Sequence, residues 1–306
     1  MSRPAAGVAA VVVDYHAGGH LVACLESLRS AGVGARVVVD NGSSAPERAA
    51  ALRADPELRW VGAGGNLGYG RAANLGARHA DLPYLLVCNP DVMVAPGAVD
   101  ALVRRLDSEP DLGLVGPLVR NPDGSVYPSA RIFPDLVDAL GHGALGLIAP
   151  RNRFTSRYRM LGWDHAGPAR VDWVSGACVL ARRASWDDIG GFDPAYFMYL
   201  EDVDLCWRAW RAGWAVGYEP GAEVTHVQGV SADLHPYRML VSHHRSLWRF
   251  ARATTNGPRR LVLPVVAAGL AGRVGVAAVA HRVSTGSPRQ AIRDRPLRPV
   301  TSRDHG

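Results

Sequence analysis

Three acids, Glu201, Asp202 and Asp204, stand in the stretch FMYLEDVDLCWRAWRAGW, between an aromatic run and a tryptophan-rich one. Carboxylates are costly to bury unless something pairs with them. Asp202 to Ala212 reads as a helix closed by Gly213, with Val203, Cys206, Trp207 and Trp210 on one apolar face. The acids then fall in its first turn, where the helix dipole favours negative charge. Asp204 can also pair with Arg208 one turn on. Neither effect requires both Glu201 and Asp202. A helix start facing a cleft would keep a carboxylate ionised, as a general base must be.

Four other stretches carry polar groups where apolar runs end. In VVVDNGSS, Asp40 closes a β-branched run and Asn41-Gly42 breaks it. Those side chains can receive donors of a base or ribose, or can form an ordinary turn. GAGGNLGYGRAAN begins like a dinucleotide loop at Gly62 and Gly64, but its sixth position is Leu67, which breaks that fingerprint. A glycine-rich turn entering a helix still offers backbone N–H groups to a phosphate, and Arg71 adds a fixed positive charge. In CNPDV, Asp91 can hold a divalent ion, because hard cations take oxygen ligands, or can cap the next turn. In THVQGVS, His226 stands at a strand exit as a metal or phosphate ligand or as a structural hydrogen-bonder.

These stretches need elements to position them. Val8–His16, Ala35–Ser44, the RWVGAGG stretch and Tyr84–Val92 read as strands; His20–Gly32 and Gly70–Ala80 read as helices. The alternation predicts an α/β fold with a mainly parallel sheet. Ligands of such sheets collect beyond the carboxyl ends of the strands, where Asp14, Asp40, Asn41 and Asp91 would lie. After Gly116 the pattern loosens. VDWVSGACVLARRASW reads as a strand and a turn, and WAVGYEPGAEVTHVQG as strands with a polar exit. The last 70 or so residues differ in kind. His243–Ala253 reads as a helix, Arg259–Arg282 is apolar with Arg at both ends and Arg273 in the middle, and an Arg- and Pro-rich tail follows.

Composition narrows the classes. The 306 residues are 48% hydrophobic and 20% charged, so a globular fold with a substantial core is expected. The formal charge is +6, and every basic residue other than His is Arg; that balance suits an anionic partner. Without interleaved aromatics or a binding motif, nucleic acid is not expected to be that partner. Cys24, Cys88, Cys178 and Cys206 form no C-x-x-C pair and read as buried free thiols of a reducing compartment. The N-terminal apolar run lacks a basic lead-in and a cleavage site, and reads as a first buried strand. The run from Leu261 to Ala280, interrupted by Pro264 and Arg273, is too broken to span a bilayer but could lie in its interface.

Taken in order, VVVDYH, DNGSS, NLGYGRAAN, NPD, SGA, GGFDPAYFMYLEDVDLCWRAWRAGW and HVQGVS resemble glycosyltransferase family two, the inverting sugar transferases of the GT-A fold. The likeness runs from about Val8 to Ser231. It implies a Rossmann-like mixed, mainly parallel sheet flanked by helices, in a catalytic domain over 1–235 (a nucleotide-sugar half, 1–115, and an acceptor half, 116–235). Beyond it, the apolar run and the composition of the chain predict C-terminal membrane-associating helices over 236–285 and a disordered basic tail over 286–306. Within the family, GPLVRNPDGSVYPSAR and FMYLEDVDL are similar to actinobacterial rhamnosyltransferases, which move rhamnose from dTDP-rhamnose onto N-acetylglucosaminyl-diphosphoryl-polyprenol.

The resemblance also assigns residues. Asp202 falls on the catalytic base, with Glu201 beside it. Tyr15, Asp40, Asn41, Asn66, Gly68, Arg71, Asn74, Asn89 and Asp91 fall on the nucleotide-sugar pocket. Arg131, Trp173, Ser175 and Gly176 fall on the acceptor side. Asp91 and His226 are the implied ligands of Mg2+ or Mn2+. Here the chain departs from the plain D-x-D form, since Asn89 replaces the first acid. The implied partners are a nucleotide sugar, a polyprenyl-diphosphate-linked acceptor and the inner face of the cytoplasmic membrane; a homodimer is left open. A sugar nucleotidyltransferase is disfavoured because DYHAGGHLVAC lacks a basic phosphate loop. A non-catalytic binding module is disfavoured because Asp40, Asp91 and Asp202 are all present.

Overall fold

The computed structural model describes residues 4–133, 160, 162–227 and 236–284, with the side chains of 236, 237 and 274–284 left out. The expected tail over 286–306 and the expected domain boundary at 235 lie outside the described residues.

The first half alternates as expected. β1 (Val8–Asp14), β2 (Ala35–Asp40), β3 (Arg59–Gly62) and β4 (Tyr84–Cys88) are joined by α1 (Gly19–Ser30), α2 (Ala45–Ala54) and α3 (Tyr69–Ala77). All seven residues of β1 are buried. Val8, Ala10 and Val12 enter the core on one side of the sheet, Ala9, Val11 and Val13 the core on the other. A strand covered on both faces reads as an unbroken apolar run, which is why β1 is so plain in the sequence. Helix α2 was not apparent from periodicity. A capping box starts it: the Ser44 side chain accepts from the Glu47 amide, and the Glu47 carboxylate from the Ser44 amide.

The chain continues through β5 (Val92–Val94), α4 (Ala98–Ser108), β6 (Leu112–Arg120), β7 (Val126–Tyr127), β8 (Ala130–Arg131), β9 (Ala169–Arg170), β10 (Trp173–Val174) and β11 (Cys178–Arg182). Then come α5 (Arg183–Ile189), α6 (Glu201–Arg211) and β12 (Ala215–His226). Two expectations need correcting. The stretch around Trp173 is two short strands separated by a turn and followed by a helix, not one strand and a turn. The stretch after Trp214 is one long strand whose register against β6 shifts between Glu219 and Glu223, around Pro220 and Gly221.

Among the described residues ten strands form one sheet, with the path β3-β2-β1-β4-β11-β6-β12-β5. β1 to β4 run parallel, β11 is antiparallel to both β4 and β6, and β12 is parallel to β6. Two reversals restore the direction. The carboxyl ends of β1–β4 and β12 therefore share one edge with the amino ends of β11 and of β5, which is antiparallel to β12. Asp40, Asn89, Gly176 and His226 all stand at that edge.

Beyond the sheet, α7 (Pro236–Thr254) leads through a 3-10 turn (Gly257–Val262) to α8 (Leu263–Ser284). α7 packs on the body: Phe250 is buried in the core, and the Ser242 and Ser246 hydroxyls donate to the Met198 carbonyl at 3.2 and 3.0 Å. By contrast, Leu261 is 82% and Val265 62% exposed. No described helix is long and apolar enough to cross a membrane.

Candidate active site

The acid cluster resolves into three different environments. Asp204 is the structural member: it accepts from Arg208 Nε at 2.7 Å, one turn along α6. Arg208 also donates to the carbonyls of Ile189 and Gly191, which ties α6 to the loop behind it. Asp202 is half-buried. Its Oδ2 accepts from the Gly176 amide and its Oδ1 from the Val203 amide, both at 2.9 Å. Burial pushes its pKa up, and the Gly176 and Val203 amides with the nearby Arg131 charge pull it back. Glu201 is buried, and its Oε2 has no hydrogen-bond partner among the described residues. Burial, then the charge of Asp202, raise Glu201 to about 8. Since the Asp202 charge is among the causes that raise Glu201, Glu201 is the member of the pair that keeps its proton to higher pH.

That assignment has a measurable consequence. Between the ordinary Glu value of 4.5 and about 8, folded Glu201 keeps a proton that the unfolded chain has released. Its contribution to stability is therefore fully present below about 4.5 and is lost as pH rises through about 8. Glu201→Gln removes this penalty. Its melting temperature should exceed wild type at pH 9, by the equivalent of roughly a few kcal/mol. The gain should shrink toward pH 5. A difference that stays constant across this range would mean that Glu201 is already ionised in the folded protein at pH 5.

The chain enters α6 through two non-glycine residues in the left-handed region, Tyr199 (φ 68°) and Leu200 (φ 62°). Each costs of order 1 kcal/mol, so the surroundings must hold them there. α7 holds the Met198 carbonyl, and the Tyr69 amide donates to the Phe197 carbonyl at 3.0 Å. Gly68 is required at this contact: its φ is +84°, and a Cβ would lie 2.2 Å from the Phe197 oxygen. The Tyr69 hydroxyl then donates to the Gly176 carbonyl at 2.6 Å. Neither Tyr69 nor the Phe197–Leu200 segment carries a local sign of this role, because both contacts join distant parts of the chain.

The Ser175–Ala177 turn links the acid pair to the NPD motif. The Gly176 amide holds Asp202, while the Ala177 carbonyl accepts from the Asn89 amide at 2.9 Å. A Cβ on Gly176 would come within 3.1 Å of the Asp202 Cβ, so a larger residue here would push on the acid by a few tenths of an ångström. Ser175 supports the turn, accepting from the Ala177 amide at 3.3 Å.

Asn89, Asp91 and His226 converge as the sequence suggested. His226 Nε2 lies 3.1 Å from Asp91 Oδ1 and 3.2 Å from the Asn89 amide nitrogen. Nε2 cannot donate to the carboxylate and accept from the amide at once. His226 Nδ1 is buried and has no partner among the described residues. A cation between Nε2 and Oδ1 would turn their close approach into two ligand bonds, with the Asn89 amide turned to present its oxygen. Adjacent ligands of an octahedral Mg2+ stand about 3 Å apart, which matches the observed separation. No group of three or more acidic, His or Cys residues suited to a metal occurs among the described residues. An ion held here would take its other ligands from water and from the substrate.

At the ends of β1–β3 the polar groups mostly shape loops. Asp40 Oδ1 accepts from the amides of Gly42 (3.0 Å) and Ser43 (2.7 Å). Burial alone would raise the Asp40 carboxyl, but these amides hold it below its usual value. Asp14 is fully buried and takes the Ser43 hydroxyl and the Ala17 amide; burial still pushes it up to about 6. Asn41 pairs with Asn66 at 3.2 Å and accepts from the Leu67 amide at 2.7 Å, while Tyr15 lies against Gly42. Asp40 and Asp91 stand at the same edge of the sheet but not next to each other. β1 separates β2 from β4, so they follow strands roughly 10 Å apart. Asn74 clasps the Phe192 backbone through both amide atoms, and Arg71 donates to the Pro194 carbonyl at 2.5 Å. Both tie α3 to the segment that enters α6.

Arg131 is buried between two rings, with its guanidinium 5.0 Å from the Trp173 centroid and 5.5 Å from that of Tyr127. Pairing of β8 with β10 sets Arg131 opposite Trp173. Its charge acts on Asp202.

Three comparisons bear on this arrangement. The family model described as glycosyltransferase-like family 2 matches residues 4–240. The N-acetylglucosaminyl-diphospho-decaprenol L-rhamnosyltransferase of Mycobacterium tuberculosis is 41% identical over 258 residues, covering 78% of this chain and 82% of that protein. A rhamnosyltransferase of Escherichia coli K12 is 30% identical over 171 residues, 53% of this chain and 62% of the relative. Among solved structures, a mannosyltransferase from Pyrobaculum calidifontis in complex with GDP-Man and Mn2+ shares the fold, with a TM-score of 0.55. It is 17% identical, over 92% of this chain and 76% of that one.

Proposed function

This chain belongs to glycosyltransferase-like family 2, and on that premise we propose that it transfers L-rhamnose from dTDP-rhamnose to a polyprenyl-diphosphate-linked N-acetylglucosamine in cell-wall assembly. The observation that carries this reading is the 41% identity to an L-rhamnosyltransferase acting on N-acetylglucosaminyl-diphospho-decaprenol. The site geometry supplies a mechanism. Asp202 is held by two amides and faces the Arg131 charge, all of which favour its carboxylate form, so it can accept the proton of an acceptor hydroxyl as that oxygen attacks the anomeric carbon. The bond from the anomeric carbon to the donor diphosphate breaks on the opposite face, which inverts the centre without a covalent enzyme intermediate. Protonated Glu201 keeps a second negative charge away from the base. Arg131 favours the ionised form of Asp202.

Asp91 and His226 fit a divalent cation, Mg2+ or Mn2+, with Asn89 beside them. When bound, it neutralises charge on the leaving diphosphate. Arg71 is the protein cation we assign to the same end of the donor. We assign Asp40, with Tyr15, Asn41 and Asn66, to the base and ribose side, and Gly68 and Asn74 to holding α3 against the segment that enters α6. Trp173, Ser175 and Gly176 form the acceptor side with Arg131.

A polyprenyl-linked acceptor stays in the bilayer, so its transferase must come to the membrane. Exposed Leu261 and Val265 next to exposed Arg259 and Arg260 support attachment through the start of α8, on the cytoplasmic face.

With a short-chain lipid-linked N-acetylglucosamine as acceptor, dTDP-rhamnose should outperform UDP- and GDP-sugars in a donor screen. A clear preference for a UDP-hexose would refute the rhamnosyl assignment and spare the family.

A further inference from the structure

α7 turns one face toward the segment that carries the acid pair. On it Arg238, Val241, Ser242 and Arg245 recur at helical spacing. With Ala195 and Phe197 opposite, they line a groove of about 540 Å³, within the usual size of small-ligand clefts. The groove has two chemical parts. Arg238 and Arg245 are exposed, and neither meets a carboxylate within ion-pair distance among the described residues. Arg249, further along the same face, differs: Asp193 takes its charge at 2.9 Å and Tyr196 stacks under it. Ala195, Phe197 and Val241 make the other part apolar.

Two guanidiniums with no carboxylate partner among the described residues, beside an apolar floor, suit an amphiphilic anion. Arg238 and Arg245 lie two turns apart, about 10 Å along the axis, within the reach of their side chains to neighbouring phosphates. The wall of the groove is also continuous with the catalytic elements. Phe197 lines it, the Phe197 carbonyl receives the Tyr69 amide, and the same segment enters α6 at Glu201 and Asp202.

We propose that this groove binds the diphosphate and first isoprene units of the lipid-linked acceptor, with Arg238 and Arg245 on the phosphates and Ala195, Phe197 and Val241 under the hydrocarbon. The proposal rests on the acceptor assigned above. The phosphate of an anionic phospholipid headgroup shares part of this chemistry, so the test must separate the two.

The test uses the full chain and the double variant Arg238→Gln/Arg245→Gln, whose exposed positions leave the core untouched. Geranyl diphosphate binding is measured by calorimetry with saturating dTDP present, which keeps the probe from the donor's diphosphate site. Co-sedimentation with phosphatidylglycerol liposomes is measured alongside. The variant should bind geranyl diphosphate about 10-fold more weakly or worse, as expected for losing charged hydrogen bonds. Its melting temperature, dTDP affinity and liposome binding should match wild type. Unchanged geranyl diphosphate affinity would overturn the proposal, as would a loss of liposome binding as large as the loss for the probe. The readout needs no sugar transfer. A protein that transfers no rhamnose yet loses geranyl diphosphate in the variant would refute the donor assignment and keep the groove.

Discussion

Asp202→Asn should leave donor binding nearly intact and lower turnover by about 10²–10⁴, the usual worth of a positioned base. The substitution is close to isosteric. Both Asp202 oxygens accept from backbone amides, so the new side-chain NH2 must face either Gly176 or Val203 and lose one bond. That cost is local, since the Ser175–Ala177 turn is also held by Tyr69 and Asn89. Donor affinity, measured directly, separates loss of the base from collapse of the turn. The pH profile adds a second check. Burial raises the Asp202 pKa above its ordinary 3.8, so wild-type activity should fall as pH drops through that raised value. The acid limb should vanish in the residual activity of Asp202→Asn. A variant as active as wild type would place the base elsewhere, with Glu201 the first suspect.

How much of this was readable in the sequence depends on how local the signal is. β1, β2 and β4 were plain, because strands buried on both faces carry unbroken apolar runs, residues 8–13 in β1, 37–39 in β2 and 85–88 in β4. The first-turn acids of α6 and the Asp204–Arg208 pair follow from helical spacing alone. The meeting of Asp91 with His226 could be anticipated from chemistry, since a motif with one acid needs another ligand. The antiparallel insertion of β11 could not, because periodicity records burial and not strand direction. α4 was also passed over, although Val99, Leu102, Val103 and Leu106 repeat at helical spacing and are buried. The supports of the acid pair were hidden for a different reason. Tyr69 and Gly176 are 107 residues apart, and Ser246 and Met198 are 48 apart. Their roles exist only once the sheet has brought α3, α6 and α7 together. Asn74 shows the same limit: the resemblance assigned it to the nucleotide-sugar pocket, and both its amide atoms hold the Phe192 backbone.

Chelation should abolish transfer, and Asp91→Ala should lower kcat/KM by about 10³ or more, with donor affinity and rate falling together. Among the described residues Asp91 is the single carboxylate facing His226 Nε2, and Asn89 stands where a second acid would add charge. Removing Asp91 therefore removes all the negative charge of this ligand set. His226→Ala should be milder, since it removes a neutral donor and leaves the carboxylate. Asn89→Asp should act in the opposite direction on the ion: a second anion beside Nε2 should lower the Mn2+ concentration needed for half-maximal activity. The three variants thus order by charge, which a purely structural role for the Asn89–Asp91–His226 contact would not produce. If transfer proceeds at full rate in chelator, the ion is not part of the reaction. Charge on the leaving diphosphate then rests with protein cations, and Arg71→Ala, not Asp91→Ala, should become the damaging substitution.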